Sequence, residues 1–243
     1  MSSPNAPSLS VDSPAPRKYD AWTLFLVVWL IVVNAAILAI SVVQGDSLVG
    51  IGAALTGVTF VVLCGMGKTS SYFFGLVNII LYAIVAWKAK YYGDFMLNVL
   101  YYLPTNIAGW FMWRKSMDAE TGTVCKRRLT LKNNLFLAAL CVVCVCVYGL
   151  FLKRVGGNLP FVDSVTTVLS VFGQFLLIKR YIEHWIIWIV VDVVSVVMWV
   201  YALNTEGESV ATLLMWIVFT MNGFIMFFKW RCDMKRQKIS DES

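Results

Sequence analysis

The chain has 243 residues, of which 59% are hydrophobic and only 14% are charged, and its mean hydropathy is +0.74. Few soluble domains have this composition, and long apolar runs are typical of a membrane protein with several spans. The net charge of +6 could suggest nucleic acid as a partner, but the positions of the basic residues, described below, argue against it.

The predicted elements are all helical. Residues 1–21 are rich in serine and proline and lack a basic signal-peptide start, so they predict a disordered tail. Eight apolar segments follow, each close to the roughly 20 residues that cross a bilayer as a helix. Their approximate bounds are 22–43, 48–66, 70–90, 95–114, 132–152, 162–180, 184–203 and 209–230. The polar connection 115–131 divides the chain, and residues 231–243 form a basic tail. The sequence therefore predicts an all-α, polytopic membrane protein.

The basic residues predict the orientation of this protein. Eight spans place both termini on one side of the membrane, together with sixteen of the twenty lysines and arginines. Only four lie on the other side. By the positive-inside rule, both termini and the 115–131 loop are cytoplasmic. The same segregation accounts for the pI of about 9.0 without nucleic acid.

One acidic residue, Asp192, lies deep inside an apolar run, within residues 183–201. On a helix with 100° per residue, three tryptophans lie within about 60° of it. These are Trp185, Trp188 and Trp199. A carboxylate at mid-membrane costs at least about 2.5 kcal/mol, so it is a functional candidate by default. An aromatic-lined carboxylate suggests an organic cation as ligand. The alternative is a structural aspartate bonded to a neighbouring helix, with the tryptophans as packing.

The chain also contains an internal repeat. A shift of 114 residues aligns the two parts without a gap, and the aligned pairs include Phe74 with Trp188, Asn78 with Asp192, Tyr102 with Trp216 and Gly109 with Gly223. Residues 46–114 and 160–230 would then be parallel three-helix repeats, joined by the connector helix 132–152. The first helix lies outside the repeat. A chance alignment of apolar stretches is the alternative, but it would not explain the equal spacing of amide and carboxylate from the glycines.

The repeat predicts where a binding site lies, because parallel-repeat transporters bind substrate near the midplane between their halves. Asn78 and Asp192 should face each other there. The other candidates are Phe74 and Tyr82 beside Asn78, Tyr102 and Asn106 in the fourth helix, Gln174 in the sixth and Trp216 in the eighth. Asn222 lies off this stripe and could bond between helices. Each amide alone could also be interhelical glue, but as a set they indicate a polar pocket.

The spacing W-x-x-W-x-x-x-D at Trp185, Trp188 and Asp192, followed by Trp199 and a three–one–three helix plan, resembles the Pnu family of bacterial vitamin transporters. The resemblance covers about residues 50–230. It implies a fold similar to a full-length SWEET sugar transporter, in the bacterial inner membrane. It also implies facilitated uptake of a vitamin-like nucleoside such as nicotinamide riboside, trapped by intracellular phosphorylation, with no coupling ion, ATP or cofactor.

The substrate stays open between members of that family. The resemblance places Trp185, Trp188, Asp192 and Asn78 in the binding site. Nicotinamide riboside and thiamine are both aromatic cations that suit such a site, whereas riboflavin is neutral and larger. A phosphorylated substrate would require a lysine or arginine in the pocket, and none lies at mid-span.

Other function classes have little support in the residues. The one histidine, His184, stands beside Glu183 at a helix start, and we expect it to be interfacial. The G-K-T at 67–69 lacks the first glycine and the preceding strand of a nucleotide loop. Cys141 and Cys144 suit apolar filling better than a metal or redox site. A membrane receptor and a membrane enzyme remain alternatives, as does a homo-oligomer, and ligand-dependent uptake into vesicles would separate these classes from a transporter.

Overall fold

The computed structural model describes residues 21–88, 95–119, 121–154, 160–206 and 210–242. The elements in chain order are α1 Ala21–Gln44, α2 Leu48–Gly65, α3 Ser71–Lys88, a π-helical turn Leu97–Tyr102 that leads directly into α4 Leu103–Arg114, α5 Leu131–Arg154, α6 Pro160–Ile178, α7 His184–Glu206 and α8 Val210–Glu242. Most of the predicted N-terminal tail lies outside the described residues. Helices are expected here because lipid offers no hydrogen-bond partner for a backbone N–H or C=O. Each membrane segment must therefore pair these groups within itself, as a helix does.

The predicted all-helical membrane class is confirmed, whereas the count of eight spans stays a prediction. Within the described part of the chain, six helices are long and apolar enough to cross a membrane. These are α1, α2, α3, α5, α6 and residues Val210–Arg236 of α8. The apolar part of α7 is shorter, at His184–Val200, and α4 is not among the six. Large apolar side chains such as Ile31, Val143 and Phe228 are exposed, as expected of a lipid-facing surface.

Six helices form a closed ring. α2 contacts α3, α3 contacts α4, α4 contacts α6, α6 contacts α7, α7 contacts α8, and α8 returns to α2. Outside the ring, α1 packs against both α2 and α8, and α5 packs against α6. The first and second parts of the chain therefore meet along two seams, one between α2 and α8 and the other between α4 and α6.

The first helix is tied to the α2–α8 seam by polar contacts. Trp29 Nε1 donates to Asn222 Oδ1 at 2.8 Å, so Asn222 bonds between helices. After the turn that ends α1, the carboxylate of Asp46 accepts from the backbone N–H groups of Val210 and Ala211 at 3.1 and 2.8 Å. These are unpaired donors at the start of α8, which an acidic group stabilises.

The 115–131 loop joins the two parts at one end of the ring. Val124 N donates to Gly67 O at 3.0 Å, in the α2–α3 turn. Arg127 N donates to Arg180 O at 2.8 Å, and Ile182 N donates to Arg127 O at 2.9 Å, in the α6–α7 turn. The loop thus connects the two interhelical turns that the 114-residue repeat makes equivalent.

A buried ion cluster fastens this loop to α8. Lys126 Nζ lies 2.9 Å from Asp233 Oδ2, and Lys229 Nζ lies 2.6 Å from the same oxygen. Burial lowers the pKa of the Lys126 ammonium, while the carboxylate of Asp233 raises it. Of these three residues, Asp233 lies in a helical continuation of α8 through the segment predicted as the basic tail. α8 runs on to Glu242 because no glycine or proline follows residue 230.

We expect Asp233→Asn to lower the apparent unfolding temperature in detergent by several degrees. The substitution leaves two largely buried ammonium groups, Lys126 and Lys229, without a counter-charge, which costs about 3 kcal/mol or more in buried pairs. Lys126→Met should cost less, because Asp233 keeps Lys229. The exposed Lys235→Met is the control, and equal unfolding temperatures for Asp233→Asn and this control would refute the role of the cluster.

Candidate functional site

The ring encloses a cavity of about 120 Å³. One water requires roughly 10–15 Å³, so the cavity has room for a small organic molecule. All six ring helices and the π-helical turn contribute to its lining. Most of the lining is apolar or aromatic, with a few polar side chains, which is the usual composition of a small-molecule site.

Nine of the eleven residues predicted for the site line this cavity. They are Asn78, Tyr82, Tyr102, Asn106, Gln174, Trp185, Trp188, Asp192 and Trp216. Phe74 and Trp199 are not among the described lining residues. Phe74 lies edge-to-face with Phe73, at 5.5 Å between centroids. Trp199 is buried in the core, about 10 Å farther along α7 than Asp192. The roles of all eleven residues in binding stay predictions.

Asp192 lies in the lining of the cavity with 3% of its surface exposed. Its carboxylate has no hydrogen-bond or ion-pair partner among the described residues. The alternative in which Asp192 bonds a neighbouring helix is therefore not what the described residues show. A buried carboxylate without a partner is unfavourable, so this arrangement favours a cationic or hydrogen-bonding ligand beside it.

Aromatic rings form two walls of the cavity. Tyr102 and Trp188 lie 6.2 Å apart between centroids, with their planes at 48°. On the other side, the ring of Trp216 lies 6.1 Å from Tyr82 and 5.5 Å from Phe219, both nearly edge-on. Flat rings of this kind can stack on an aromatic ligand, and their faces attract a cation.

Four amides, those of Asn78, Asn98, Asn106 and Gln174, supply most of the remaining polarity. Asn78 Nδ2 donates to Ala53 O at 2.8 Å, so the amide oxygen of Asn78 is the atom left for a ligand. Gln174 Nε2 lies 3.5 Å from Thr105 Oγ1, a long hydrogen bond. Asn106 is 3% exposed and has no hydrogen-bond partner within the described ranges. The oxygens of Asn78 and Asp192 are both acceptors, so the cavity suits a ligand with hydroxyl or amide donors.

The interpretation of His184 as an interfacial residue is wrong. Its side chain is fully buried and lines the cavity. Its Nδ1 lies 2.6 Å from Tyr181 O, and because a carbonyl only accepts, Nδ1 must carry the proton. The adjacent Glu183 suggested exposure, but Glu183 is itself buried and accepts from Leu129 N at 3.0 Å. The 115–131 loop therefore covers this helix start, which no local sequence signal indicates.

Several apolar lining residues were also missed. They are Phe60, Val61 and Cys64 of α2, Ile79 of α3, Leu177 of α6, and Met215 and Phe219 of α8. Each lies in an apolar helix among similar residues. No periodicity distinguishes a cavity-facing apolar side chain from a lipid-facing one, because both surroundings are apolar.

A ring of membrane-type helices around a small, aromatic cavity with one carboxylate is typical of a multi-pass membrane protein that binds a small molecule between its helices. Residues 47–232 match the family model described as nicotinamide mononucleotide transporter, and the chain belongs to this family. The predicted family resemblance is thereby confirmed, and α1 precedes the matched region.

Named relatives and a solved structure agree with this family. The chain is 39% identical to a nicotinamide riboside transporter PnuC of Neisseria mucosa, over 90% of this chain and 85% of the relative. It is 33% identical to the protein of that name from Haemophilus influenzae, over 89% of this chain and 94% of the relative. A crystal structure of the vitamin B3 transporter PnuC superposes with a TM-score of 0.80 at 37% identity, covering 89% of this chain and 94% of that one. These relatives are named as transporters, not as enzymes.

We expect Asp192→Asn to raise the apparent unfolding temperature of the ligand-free protein. The substitution removes a buried charge that has no partner among the described residues, and such sites commonly exchange stability for function. Asp233→Asn is the contrast, because it removes a carboxylate that is paired. A fall in unfolding temperature for Asp192→Asn, measured without ligand, would mean that the carboxylate has a structural partner after all.

Proposed function

We propose that this protein mediates facilitated uptake of nicotinamide riboside across a bacterial inner membrane. The relatives named nicotinamide riboside transporters align over about nine-tenths of the chain. The observation that carries the proposal is the unpartnered Asp192 carboxylate in a cavity lined by aromatic rings. It matches a ligand that combines an aromatic cation with hydrogen-bond donors.

Each part of nicotinamide riboside has a matching group in the cavity. The pyridinium ring can stack on Trp188 or Tyr102, a contact worth about 0.5–2 kcal/mol for a cation over an aromatic face. Asp192 offers either a counter-charge or a hydroxyl acceptor. The ribose hydroxyls and the carboxamide can bond to Asn78, Asn106 and Gln174, which all line the cavity.

The same chemistry favours a nucleoside over a nucleotide, although the family description names the mononucleotide. The described lining contains no lysine or arginine. A phosphate group would enter without a counter-charge and would lie near the Asp192 carboxylate. Charges inside a membrane protein are tolerated when they are paired, so the phosphorylated form is the poorer ligand.

Thiamine is the second candidate, because it is also an aromatic cation and the cavity offers it the same rings and carboxylate. The names of the aligned relatives favour nicotinamide riboside over thiamine. The two vitamins differ in the group attached to the aromatic cation, since only nicotinamide riboside carries a sugar that could bond the amides of the cavity.

We infer alternating access between two three-helix repeats, α2–α4 and α6–α8, in an eight-span protein with both termini cytoplasmic. The 114-residue shift supports the repeats, because it carries the ring contacts onto one another. The α2–α3 contact maps to α6–α7, the α3–α4 contact to α7–α8, and the α4–α6 seam to the α8–α2 seam. Phosphorylation inside the cell would trap the substrate, so that uptake continues down a gradient.

Transport by this route should require no coupling ion, because Asp192 is the one acidic residue among the described lining residues. We expect counterflow of labelled nicotinamide riboside in proteoliposomes to proceed without any ion gradient. Strict dependence on a proton or sodium gradient would contradict the uncoupled mode. If thiamine shows counterflow and nicotinamide riboside shows none, thiamine is the substrate and the proposal for the riboside is wrong.

Asp192→Ala should weaken binding of nicotinamide riboside by roughly 1.5–3 kcal/mol, the value of a charge-assisted hydrogen bond. That is about one to two decades in dissociation constant, measured by calorimetry on purified protein. Asp192→Asn should cost less if the residue bonds a ribose hydroxyl, and nearly as much if it pairs with the ring cation. Ser195→Ala is the matched control, since Ser195 is buried on the same helix but does not line the cavity. If Asp192→Ala binds nicotinamide riboside with wild-type affinity, the binding site lies elsewhere.

A further inference from the structure

Two of the cavity amides lie directly on glycines of the preceding helix. A β-carbon added to Gly57 of α2 would lie 2.7 Å from Asn78 Nδ2 of α3. A β-carbon added to Gly75 of α3 would lie 2.6 Å from Asn106 Nδ2 of α4. Contacts below 3.0 Å are essentially never made by real β-carbons, so an alanine at either position would force a neighbour to move.

The neighbours that would move all belong to the cavity. Next to Asn78, the added carbon at Gly57 would meet Phe219 Cζ at 3.0 Å and Met215 Sδ at 3.1 Å. At Gly75 it would meet the ring of Phe60 at 2.9 Å. Each of these side chains lines the cavity. The clash would therefore change the shape of the cavity rather than the surrounding packing alone.

The two amides differ in how firmly they are held. Asn78 is anchored by its bond to Ala53 O, so displacing it would break a hydrogen bond inside the bundle. Asn106 is nine-tenths buried, lines the cavity and has no partner among the described residues. An unpartnered amide in this position can bond a ligand, and its Nδ2 lies against the surface of Gly75.

Gly109 and Gly149 are also closely packed helix glycines, but they lie against residues outside the described lining. A β-carbon at Gly109 would meet the ring of Tyr72 at 2.5 Å, and one at Gly149 would meet the ring of Phe161 at 2.5 Å. Neither ring is part of the described lining. At Gly173 an added β-carbon would meet Trp188 of the lining at 3.2 Å, but only at Gly57 and Gly75 would it lie within 3.0 Å of an amide of the site.

We propose that Gly57 and Gly75 determine the substrate specificity of the cavity. By holding Asn78 and Asn106 back from its centre, the two glycines leave room for a polar tail, the ribose, beside a stacked ring. This inference rests on the proposed function, since it concerns which part of the ligand the amides receive. A β-carbon at either glycine excludes the tail and spares the ring.

Ligand titration of glycine variants tests this directly. Gly57→Ala and Gly75→Ala should each bind nicotinamide riboside about tenfold more weakly or worse, as one surplus methylene in a pocket does. Gly149→Ala is the control. It makes an equally close contact, between α5 and a residue of α6 that is not in the described lining, so it should keep wild-type affinity. Unfolding temperatures are measured alongside for all variants.

A second ligand separates specificity from general damage. 1-Methylnicotinamide, methylated on its ring nitrogen, has the cationic ring and the amide but no ribose, and it is used as a competitor of labelled nicotinamide riboside. Its potency relative to unlabelled riboside should rise by about tenfold in Gly57→Ala and Gly75→Ala. An equal loss for both compounds would reduce the glycines to a structural role and overturn the proposal.

Shortening the displaced amide gives the rescue. In an Asn106→Ser background, Gly75→Ala should cost much less affinity than it costs alone, because the two changes share one contact. The double variant removes the closest contact of the added β-carbon and leaves the one with Phe60 at 2.9 Å, and additive losses would refute the steric account. If the wild-type protein fails to bind the riboside, the proposed function fails. If it binds while both glycine variants bind equally well, only the present inference fails.

Discussion

Closure of the six-helix ring at its two seams is the constraint on which the cavity depends. At the α2–α8 seam, Trp230 Nε1 donates to Gly65 O at 2.9 Å, and at the α4–α6 seam Trp113 Nε1 donates to Leu177 O at 3.2 Å. Both carbonyls belong to the last turns of their helices, where no intrahelical donor is available. The two buried indoles lie 6.4 Å apart between ring centroids, so the same pair of residues joins both seams at one end of the ring.

The polar side chains of the helix bundle differ in whether they pair with other protein groups or are left open to the cavity. The amide N–H of Asn78 donates to the backbone of α2, which leaves the amide oxygen available to a ligand in the cavity. Asp192 keeps its whole carboxylate free of described partners. By contrast, the charges of Lys126, Lys229 and Asp233 neutralise one another at the end of the bundle. A buried charge that is paired contributes to the fold, whereas one that is left unpaired marks the place of a ligand.

The parts outside the three-helix repeats also have structural roles. α1 lies beside the α2–α8 seam and contributes the Trp29–Asn222 bond, and the turn after it caps α8 through Asp46. The family match begins after α1, although the relatives align over about nine-tenths of this chain. The 115–131 loop joins the two equivalent interhelical turns and covers the start of α7, which is why His184 is buried.

The sequence by itself determined the membrane class and the family, and it predicted nine of the residues that line the cavity. Long apolar runs identify helices in lipid, and a single mid-span aspartate with tryptophans at helical spacing is too costly to be incidental. Only the tertiary structure decided which apolar side chains face the cavity, such as Phe60 and Phe219, and that Trp199 does not. The physical reason is that lipid and protein interior are equally apolar, so the hydrophobicity of a residue does not show whether its side chain faces the lipid or the cavity. The contacts of Gly57 and Gly75 likewise depend on how closely neighbouring helices approach, a distance that no residue in one helix specifies.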